Sequence, residues 1–555
     1  MTASLALTNG KVITVNGQSD IAQAIAVDGE RILAVGSNSD IQALIGPQTH
    51  MIDLDGRVAT PGLIDAHAHM DREGLKDTLP SMAGLRDIDD IVGRVAELAR
   101  KAKPGDWIVT MPLGDPPEFG IMAGDLAQRR WPTRHDLDRA APDNPVYIKP
   151  AWGYWRPSLP LVSIANSRAL ALAGVIRDTQ PPCDTVSIER DAGGEPTGVF
   201  FDNNRMPVVE FTLMRKVPAF DLVTRVAALP RSMRIYNSFG TTSVYEGHGA
   251  AADVIEAYKR VNAAGEATVR ATLALSPAWP DGNQADVAEL IADWVRWLSH
   301  KGLGDDWLRL NGLYTDVEDT PEHRLRKSVY PETGWAGFNY AGLPQEAVKE
   351  LLIACARNGI RVNAIAGSML DTFDEVAKIA PISGQRWVLA HITALDNRRI
   401  SLLREHGIVV TTHTNGYIWK SGAQFRDSLG PGRENDVVPL RRLLDAGVAV
   451  ALGTDNVPVS LWYPIWQTVA RIDRKTQETV APEQALTREE ALRCATMGGA
   501  YLTFEENSKG SLEPGKLADI VVPSQDPLTC DLARLRDTKA DMTIVGGKVV
   551  FERGA

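Results

Sequence analysis

The stretch Pro61-Gly62-Leu63-Ile64-Asp65-Ala66-His67-Ala68-His69 ends an apolar run with two histidines one residue apart. Successive residues of a β-strand point to opposite faces, so His67 and His69 would share a face at the end of a strand. Two such imidazoles can bind one metal ion, and neutral imidazole suits zinc, iron and cobalt. His-x-His pairs also occur in ordinary polar loops. Here the Pro-Gly turn, the apolar Leu63-Ile64 and the charged Asp71-Arg72-Glu73 favour a metal site.

The composition is typical of a globular enzyme. The chain has 555 residues, 44% of them hydrophobic and 23% charged, and about one domain per 150 residues predicts three or four structural units. The net charge of −11 and the lack of a basic stripe argue against nucleic acid as a partner. We expect no signal peptide and no membrane segment, because no apolar run reaches the roughly 20 residues that span a bilayer.

The number and spacing of the cysteines predict the cellular compartment. Four cysteines lie far apart and form no Cys-x-x-Cys pair, which is typical of free thiols in a reducing cytoplasm. We therefore expect a cytoplasmic protein.

The two ends of the chain resemble each other. Residues 8–13 and 545–550 place Asn-Gly and Gly-Gly between β-branched residues, the pattern of two-residue hairpins. We predict one small β-sandwich domain from residues 1–58 and 508–555; the alternative is two unrelated capping hairpins. Further short strands are expected at 24–27, 32–35 and 518–522.

Between these ends, β-rich runs alternate with helical stretches, which indicates a parallel sheet of βα units. In one predicted helix, 345–358, the helical period places Ala347, Leu351, Leu352 and Cys355 on one apolar stripe. Eight such strands would close a TIM-like (β/α)8 barrel over residues 59–507, with the active site at the carboxyl ends of the strands. The runs are 58–67, 240–246, 269–275, 308–314, 360–365, 387–391, 408–412 and 448–455.

An insertion from about residue 70 to 235 follows the first predicted strand and is far longer than an ordinary βα loop. We expect a lid or substrate subdomain. Trp152, Tyr154 and Trp155 lie in its aromatic segment and are predicted to wall an apolar substrate pocket. The alternative is that these rings pack the insertion against the barrel.

Polar residues at separate strand ends form a candidate metal site. His67 and His69 end the first predicted strand, His391 ends the sixth and Asp455 ends the eighth. Such a set on unrelated strands is much harder to explain as chance than any one member. Five other histidines lie in helical or connecting stretches, where surface or structural roles are expected: His50, His135, His300, His323 and His406.

These motifs resemble the amidohydrolase superfamily, and within it the branch that includes N-substituted formamide deformylases. The similar motifs are the first-strand His-x-His, Ala390-His391 on the sixth strand and the turn Gly453-Thr454-Asp455-Asn456-Val457-Pro458-Val459. The C-terminal run from Gly510 to Ile520 looks like the family's return to its sandwich domain. The resemblance covers nearly the whole chain and implies a metal-dependent hydrolase, but it says little about the substrate.

Two departures from the family bear on the number of metal ions. Relatives often carry a lysine on the fourth strand, whose carbamate bridges two metals, whereas the run 308–314 contains Asn311 and no lysine. Where relatives have a fifth-strand histidine, this chain has Asn363, and an amide oxygen is a weaker ligand than imidazole. We therefore predict one divalent ion, zinc first, with iron, cobalt or manganese as alternatives.

The resemblance implies that His67, His69 and Asp455 bind this ion. His391 is expected either as a third imidazole ligand or as a proton-bearing partner of the bound water.

Further metal or substrate contacts are predicted near the same strand ends. Glu246 would offer a carboxylate from the second strand and His413 an imidazole from the seventh; substrate contact or a hydrogen bond to a ligand is the alternative. Asn363 is expected to hydrogen-bond the substrate or the bound water. The complete set of these additional candidates is Glu246, His248, Asn311, Asn363 and His413.

The leading functional hypothesis is hydrolysis of an amide-type C–N bond in a small organic substrate, such as an amide, carbamate or urea but not a peptide. Asp455 would take the proton of the attacking water and pass it to the leaving nitrogen, and His391 would stabilise the oxyanion. A mononuclear deaminase of a heterocyclic or aryl amine is one alternative, and a non-catalytic binding protein is another. Relatives are often dimers or larger, so we expect a homo-oligomer.

Overall fold

A computed structural model describes residues 2–156, 158–279, 289–291, 295–317, 320–327, 335–365, 367–412 and 414–554. The chain forms two compact units. The first comprises Met1–Glu73, Leu229–Val317 and Ala341–Ala555, and the second comprises Gly74–Ala228 and Glu318–Tyr340. The second unit thus draws on a stretch after the fourth barrel strand as well as on the expected insertion. No helix of the described ranges is long and apolar enough to cross a membrane.

Eight parallel strands form the central sheet of the first unit. They neighbour one another in chain order, from the first strand to the last. The backbone N–H of Asp455, beyond the eighth strand, donates to the carbonyl of His67 in the first at 2.8 Å. The predicted (β/α)8 class is confirmed. The strands are Leu63–Ala68, Thr241–Ala250, Arg270–Leu275, Leu308–Tyr314, Val362–Ala364, Val388–Leu389, Val409–Thr412 and Val450–Leu452.

The predicted first strand, 58–67, was wrong as a single element. Val58–Pro61 pairs with strands from the two ends of the chain, whereas Leu63–Ala68 belongs to the barrel. Gly62 separates them, and a Cβ at Gly62 would lie 2.2 Å from Thr242 Oγ1. Only glycine allows this close approach, so the chain changes sheets there.

The second barrel strand is longer than predicted. It runs to Ala250, so Glu246 and His248 both lie within it. The sixth and eighth strands end earlier, at Leu389 and Leu452, so His391 and Asp455 lie just beyond their carboxyl ends.

Helices alternate with the barrel strands. In Gln345–Arg357 the predicted apolar stripe is buried, including Ala347, Leu351, Leu352 and Cys355. The other α-helices of the first unit are Asn38–Gln42, Met70–Glu73, Ala252–Ala263, Met369–Ala377, Asn397–Glu405, Gly422–Leu429, Leu440–Asp445, Trp462–Ala470, Arg488–Cys494, Met497–Leu502 and Leu532–Leu535. Leu222–Asn237 belongs in part to each unit. Shorter helices are Val295–Leu298, Glu434–Asp436 and Pro482–Gln484, with a π-helix at Asn415–Lys420.

Strands from both ends of the chain form two further sheets whose buried residues pack into one apolar cluster, including Leu7, Ile25, Ile520 and Ile544. The first sheet has the order Arg31–Gly36, Ala24–Asp28, Leu5–Thr8, His50–Asp53. The second has the order Lys548–Glu552, Ala540–Val545, Ile520–Pro523, Val58–Pro61, Lys11–Ile13, Ile21–Ala22. Two short strand pairs are also present. Leu303–Gly304 pairs with the fourth barrel strand, and Asp316–Val317 pairs with Gly342–Leu343.

The second unit contains a five-stranded sheet in the order Val186–Arg190, Pro196–Asp202, Leu161–Ala165, Val146–Ile148, Ile108–Thr110. Its helices are Gly74–Asp77, Ile88–Ala99, Ala123–Asp125, Arg134–Ala140, Ser167–Ala173, Val208–Phe211 and Pro321–Lys327.

The predicted aromatic wall lies in this second unit. Trp155 is buried and its ring lies 5.1 Å from that of Trp335. Trp152 is also buried, 5.8 Å from the ring of Tyr154, which is 47% exposed. Trp155 therefore packs inside its own unit, and a role for these rings in substrate binding stays a prediction.

Candidate metal centre

Four side chains from three barrel strands meet at the carboxyl end of the barrel. His67, His69, His248 and Asp455 each bring one ligand atom within 4.8 Å of the others. Nε2 of His69 lies 2.8 Å from Nδ1 of His248 and 3.0 Å from Oδ1 of Asp455. Three imidazole nitrogens and one carboxylate oxygen around a common point fit the donor set of a divalent transition metal. We call these four residues the metal group.

His391 lies beside the metal group. Its Nε2 is 3.0 Å from Nε2 of His67 and 3.9 Å from Oδ2 of Asp455. The sequence predicted His391 either as a third imidazole ligand or as a proton-bearing partner of the bound water, and His248 as an additional contact. The structure brings both to the site, with His248 inside the tighter set.

Burial favours the neutral form of the His69, His248 and His391 imidazoles because it lowers their pKa values. It lowers the pKa of His69 to about 4, with a contribution from the nearby Arg72 guanidinium. Burial also lowers the pKa of His391, and that of His248 falls well below its ordinary value. A neutral imidazole offers its lone pair to a metal, so these histidines are in the form that binds one.

Asp65 joins the first and last barrel strands beneath the histidines. Its Oδ1 accepts the backbone N–H groups of His67 at 3.1 Å and Thr454 at 3.0 Å, and its Oδ2 accepts the Thr454 hydroxyl. Burial raises the pKa of Asp65 to about 6, while the hydrogen bonds from Thr454 oppose that shift. Asp65 was not among the predicted site residues, although a carboxylate two residues before His67 in an apolar strand lies on the same face as that histidine.

Two glycines leave room for the His67 ring. A Cβ at Gly247 would lie 2.1 Å from Nδ1 of His67, and one at Gly453 would lie 2.4 Å from its Cβ. His67 itself is only 1% exposed. His67 therefore lies in a slot, with Gly247 against its ring and Gly453 against its Cβ and main chain, and any side chain at either glycine would fill this slot.

The turn after the eighth strand fixes the backbone of His69. Asn456 accepts the His69 N–H at 3.0 Å through Oδ1 and donates to the His69 carbonyl at 2.6 Å through Nδ2. The Tyr236 hydroxyl also donates to Asn456 Oδ1. Asp455 and Asn456 have φ of 53° and 57°, in the left-handed region that Asn and Asp tolerate better than most residues.

Glu246 faces the other nitrogen of His69. Its Oε2 lies 3.8 Å from His69 Nδ1, and its Oε1 accepts the Met70 N–H at 2.9 Å and the Tyr258 hydroxyl at 2.5 Å. Burial, followed by the charge of Asp71, raises the pKa of Glu246 to about 8. A carboxyl group on this side of an imidazole can orient the ring toward a metal bound at Nε2.

The other predicted contacts are placed differently. The Asn311 amide donates to the His300 carbonyl at 2.9 Å, and the Asn363 amide donates to the carbonyl of Gly247, next to the slot of His67. His413 lies outside the described residues.

Comparison with known proteins agrees with this fold. The amidohydrolase family model matches residues 50–551. The chain is 25% identical to an N-substituted formamide deformylase from Arthrobacter pascens over 99% of this chain and 98% of that protein. It is also 25% identical to a putative amidohydrolase from Bacillus subtilis (strain 168), over 98% of each.

A solved structure shows the same fold. It is an uncharacterized metal-dependent hydrolase from Pyrococcus furiosus, with a TM-score of 0.68 and 20% identity, and the match covers 95% of this chain and 100% of that one. Because the family model spans most of the sequence, we conclude that this chain belongs to the amidohydrolase family and is a metal-dependent hydrolase.

Proposed function

We propose that this enzyme uses one bound metal ion to hydrolyse an amide-type C–N bond, other than a peptide bond, in a small organic substrate. Amides, carbamates and ureas are the substrate types, with N-substituted formamides first because of the similarity to a deformylase. The observation that carries the proposal is the metal group, whose ligand atoms lie within 4.8 Å of one another. This donor set suits zinc, with iron, cobalt or manganese as alternatives.

Each side chain of the metal group has a proposed role in catalysis. His67, His69, His248 and Asp455 would bind the ion, which supplies a Lewis acid and lowers the pKa of bound water. Asp455 turns Oδ1 toward His69 and Oδ2 toward His391, so one carboxylate can bind and also move a proton. It would take the proton of the attacking water and deliver it to the leaving nitrogen.

His391 would stabilise the charge that develops on the substrate oxygen. Its Nε2 lies 3.0 Å from the His67 nitrogen and its side chain is 12% exposed, against 1% for His67. It thus faces the partly open side of the metal group, where a carbonyl oxygen can approach. A hydrogen-bond donor at such a position acts mainly in the transition state.

A single ion is supported by the residues that stand where relatives have ligands for a second one. The amides of Asn311 and Asn363 are both used in hydrogen bonds to backbone carbonyls. One oxygen of Glu246 already accepts two hydrogen bonds. The hydrogen bonds of the two asparagines use the amide nitrogens, so a second transition metal would find only the amide oxygens, which are weaker ligands than imidazole.

Metal analysis of the purified protein is expected to give one equivalent per chain. Removing the ion with a chelator should abolish hydrolysis of N-substituted formamides, and adding zinc back should restore it. Two equivalents would contradict the mononuclear site. A metal-loaded enzyme that releases ammonia from aryl amines but cleaves no amide, carbamate or urea would instead support the deaminase alternative.

Separate alanine variants distinguish the roles of His248 and His391. His248→Ala should weaken metal affinity by roughly 10- to 100-fold, the range seen on disturbing such sites. His391→Ala should retain most of the metal and lower kcat by roughly 100-fold, the scale of one lost oxyanion contact. Metal titration and steady-state kinetics of both variants measure these effects, and the reverse pattern would make His391 the ligand.

We also propose a cellular location, a type of substrate and an oligomeric state. The cysteines Cys183, Cys355, Cys494 and Cys530 are free thiols, which supports a reducing, cytoplasmic location. The net charge of −11 supports a small-molecule substrate rather than nucleic acid. We propose a homo-oligomer, which light scattering of the purified protein would test.

A further inference from the structure

Within the part of the chain that the structure describes, the exposed side of the site is formed by His248 and His391. His67 and His69 are 1% and 2% exposed, whereas His248 and His391 are partly exposed. A substrate carbonyl must therefore approach past His248 and His391. Side chains next to these two rings are the ones that meet the rest of the substrate.

Tyr417 stands beside His391 on this side. Its ring lies 6.1 Å from the His391 ring in an edge-on arrangement, and the ring is partly exposed. Phe425 packs against Tyr417 at 5.7 Å. An aromatic face next to the site of the scissile bond favours contact with another planar ring.

The backbone that carries Tyr417 is unusual and firmly held. Tyr417 lies in the π-helix Asn415–Lys420, a rare conformation that is frequent at functional sites. The Asn415 amide donates to the carbonyl of Val457, in the turn that carries Asp455. Gln467 donates to Asn415 at 2.9 Å and accepts from Thr414 at 2.6 Å, and all three side chains are buried. The position of Tyr417 is therefore tied to that of the metal group.

We infer that Tyr417 is a specificity-determining residue that binds an aryl group carried on the nitrogen of the scissile amide. This inference rests on the proposed hydrolysis of N-substituted formamides and adds the class of substituent. The ring of the substrate would pack against Tyr417 while its carbonyl lies beside His391. Burial of one aromatic ring against another is worth roughly a few-fold to ten-fold in binding.

The test compares N-phenylformamide with N-methylformamide, which share the scissile bond. In Tyr417→Ala, the ratio of kcat/KM for the phenyl over the methyl compound should fall roughly three- to ten-fold, mainly through a higher KM for the phenyl compound. Tyr417→Phe keeps the ring and should keep the wild-type ratio.

Trp419 supplies the matched control. It lies on the same π-helix, but its ring packs against Trp466 at 5.2 Å, so Trp419→Phe should leave the ratio unchanged. Equal losses on both substrates in Tyr417→Ala, or an unchanged ratio, would overturn the aryl site.

Calorimetric binding of the two compounds to the metal-loaded protein separates this inference from the proposed function. Wild-type protein that binds the phenyl compound no more tightly than the methyl compound overturns the aryl site, even if amides are cleaved. If the protein prefers the phenyl compound through Tyr417 but hydrolyses no amide, the aryl site is supported and the proposed reaction is refuted.

Discussion

Replacing Asp455 by alanine is expected to reduce kcat by at least about a thousand-fold. The carboxylate lies 3.0 Å from the His69 nitrogen and 3.9 Å from that of His391, so it can both bind the metal and move the proton. General acid–base catalysis alone is worth roughly 100- to 10,000-fold. Steady-state kinetics on N-substituted formamides, at saturating zinc, measure the loss.

The control for this variant is its folding stability, measured as the thermal unfolding midpoint. The backbone N–H of Asp455, which bonds the His67 carbonyl at 2.8 Å, remains in the alanine variant, so the variant should fold, with a lower thermal unfolding midpoint because alanine tolerates the left-handed φ at this position less well than aspartate. Asp455→Asn keeps an oxygen ligand but cannot accept a proton, and it should retain more metal than Asp455→Ala with equally low turnover. Near-normal hydrolysis by either variant would rule out the proton-transfer role.

Gly247→Ala is expected to weaken metal binding by roughly 10- to 100-fold without changing any ligand, the scale found when the support of a metal ligand is disturbed. The new methyl group would lie 2.1 Å from Nδ1 and 2.5 Å from Cε1 of His67. The main chain of His67 also has little room to shift, because Gly453 packs against its N, Cα and Cβ atoms. Zinc titration with a competing chelator measures the affinity.

Gly93→Ala is the matched substitution. It lies in the helix Ile88–Ala99, where an added Cβ meets nothing within 4 Å, so zinc affinity should be unchanged. If Gly247→Ala bound zinc as tightly as this control, the position of His67 would not depend on the slot between the two glycines, and His67 would be a weaker candidate ligand.

The fold class could be predicted because its signals are local. Each βα unit places apolar residues with strand or helix period in a short window, as in Gln345–Arg357, whose apolar stripe is buried as expected. The division at Gly62 could not be predicted this way. The runs on both sides of Gly62 are apolar, and they are separate strands because they pair with different strands that lie far along the chain.

Some residues of the candidate site could likewise be predicted from the sequence, and others could not. His67 and His69 could be singled out because two histidines on one strand share a face, and Asp455 because a carboxylate follows an apolar strand. His248 was given a lesser role, since nothing near it in the sequence indicates that its strand continues to Ala250. Its distance of 2.8 Å to His69 arises only when the first two barrel strands pair.

The sequence by itself determined the barrel class, the family and most of the candidate ligands, because strand periodicity and strand-end residues depend on neighbours in the chain. Only the tertiary structure decided which imidazoles share a point in space, and it placed His248 in the metal group with His391 beside it. It also revealed Asp65 and Asn456, whose hydrogen bonds hold the first and last strands together. These contacts join residues nearly 400 positions apart, and they exist only because closing the barrel brings its first and last strands side by side.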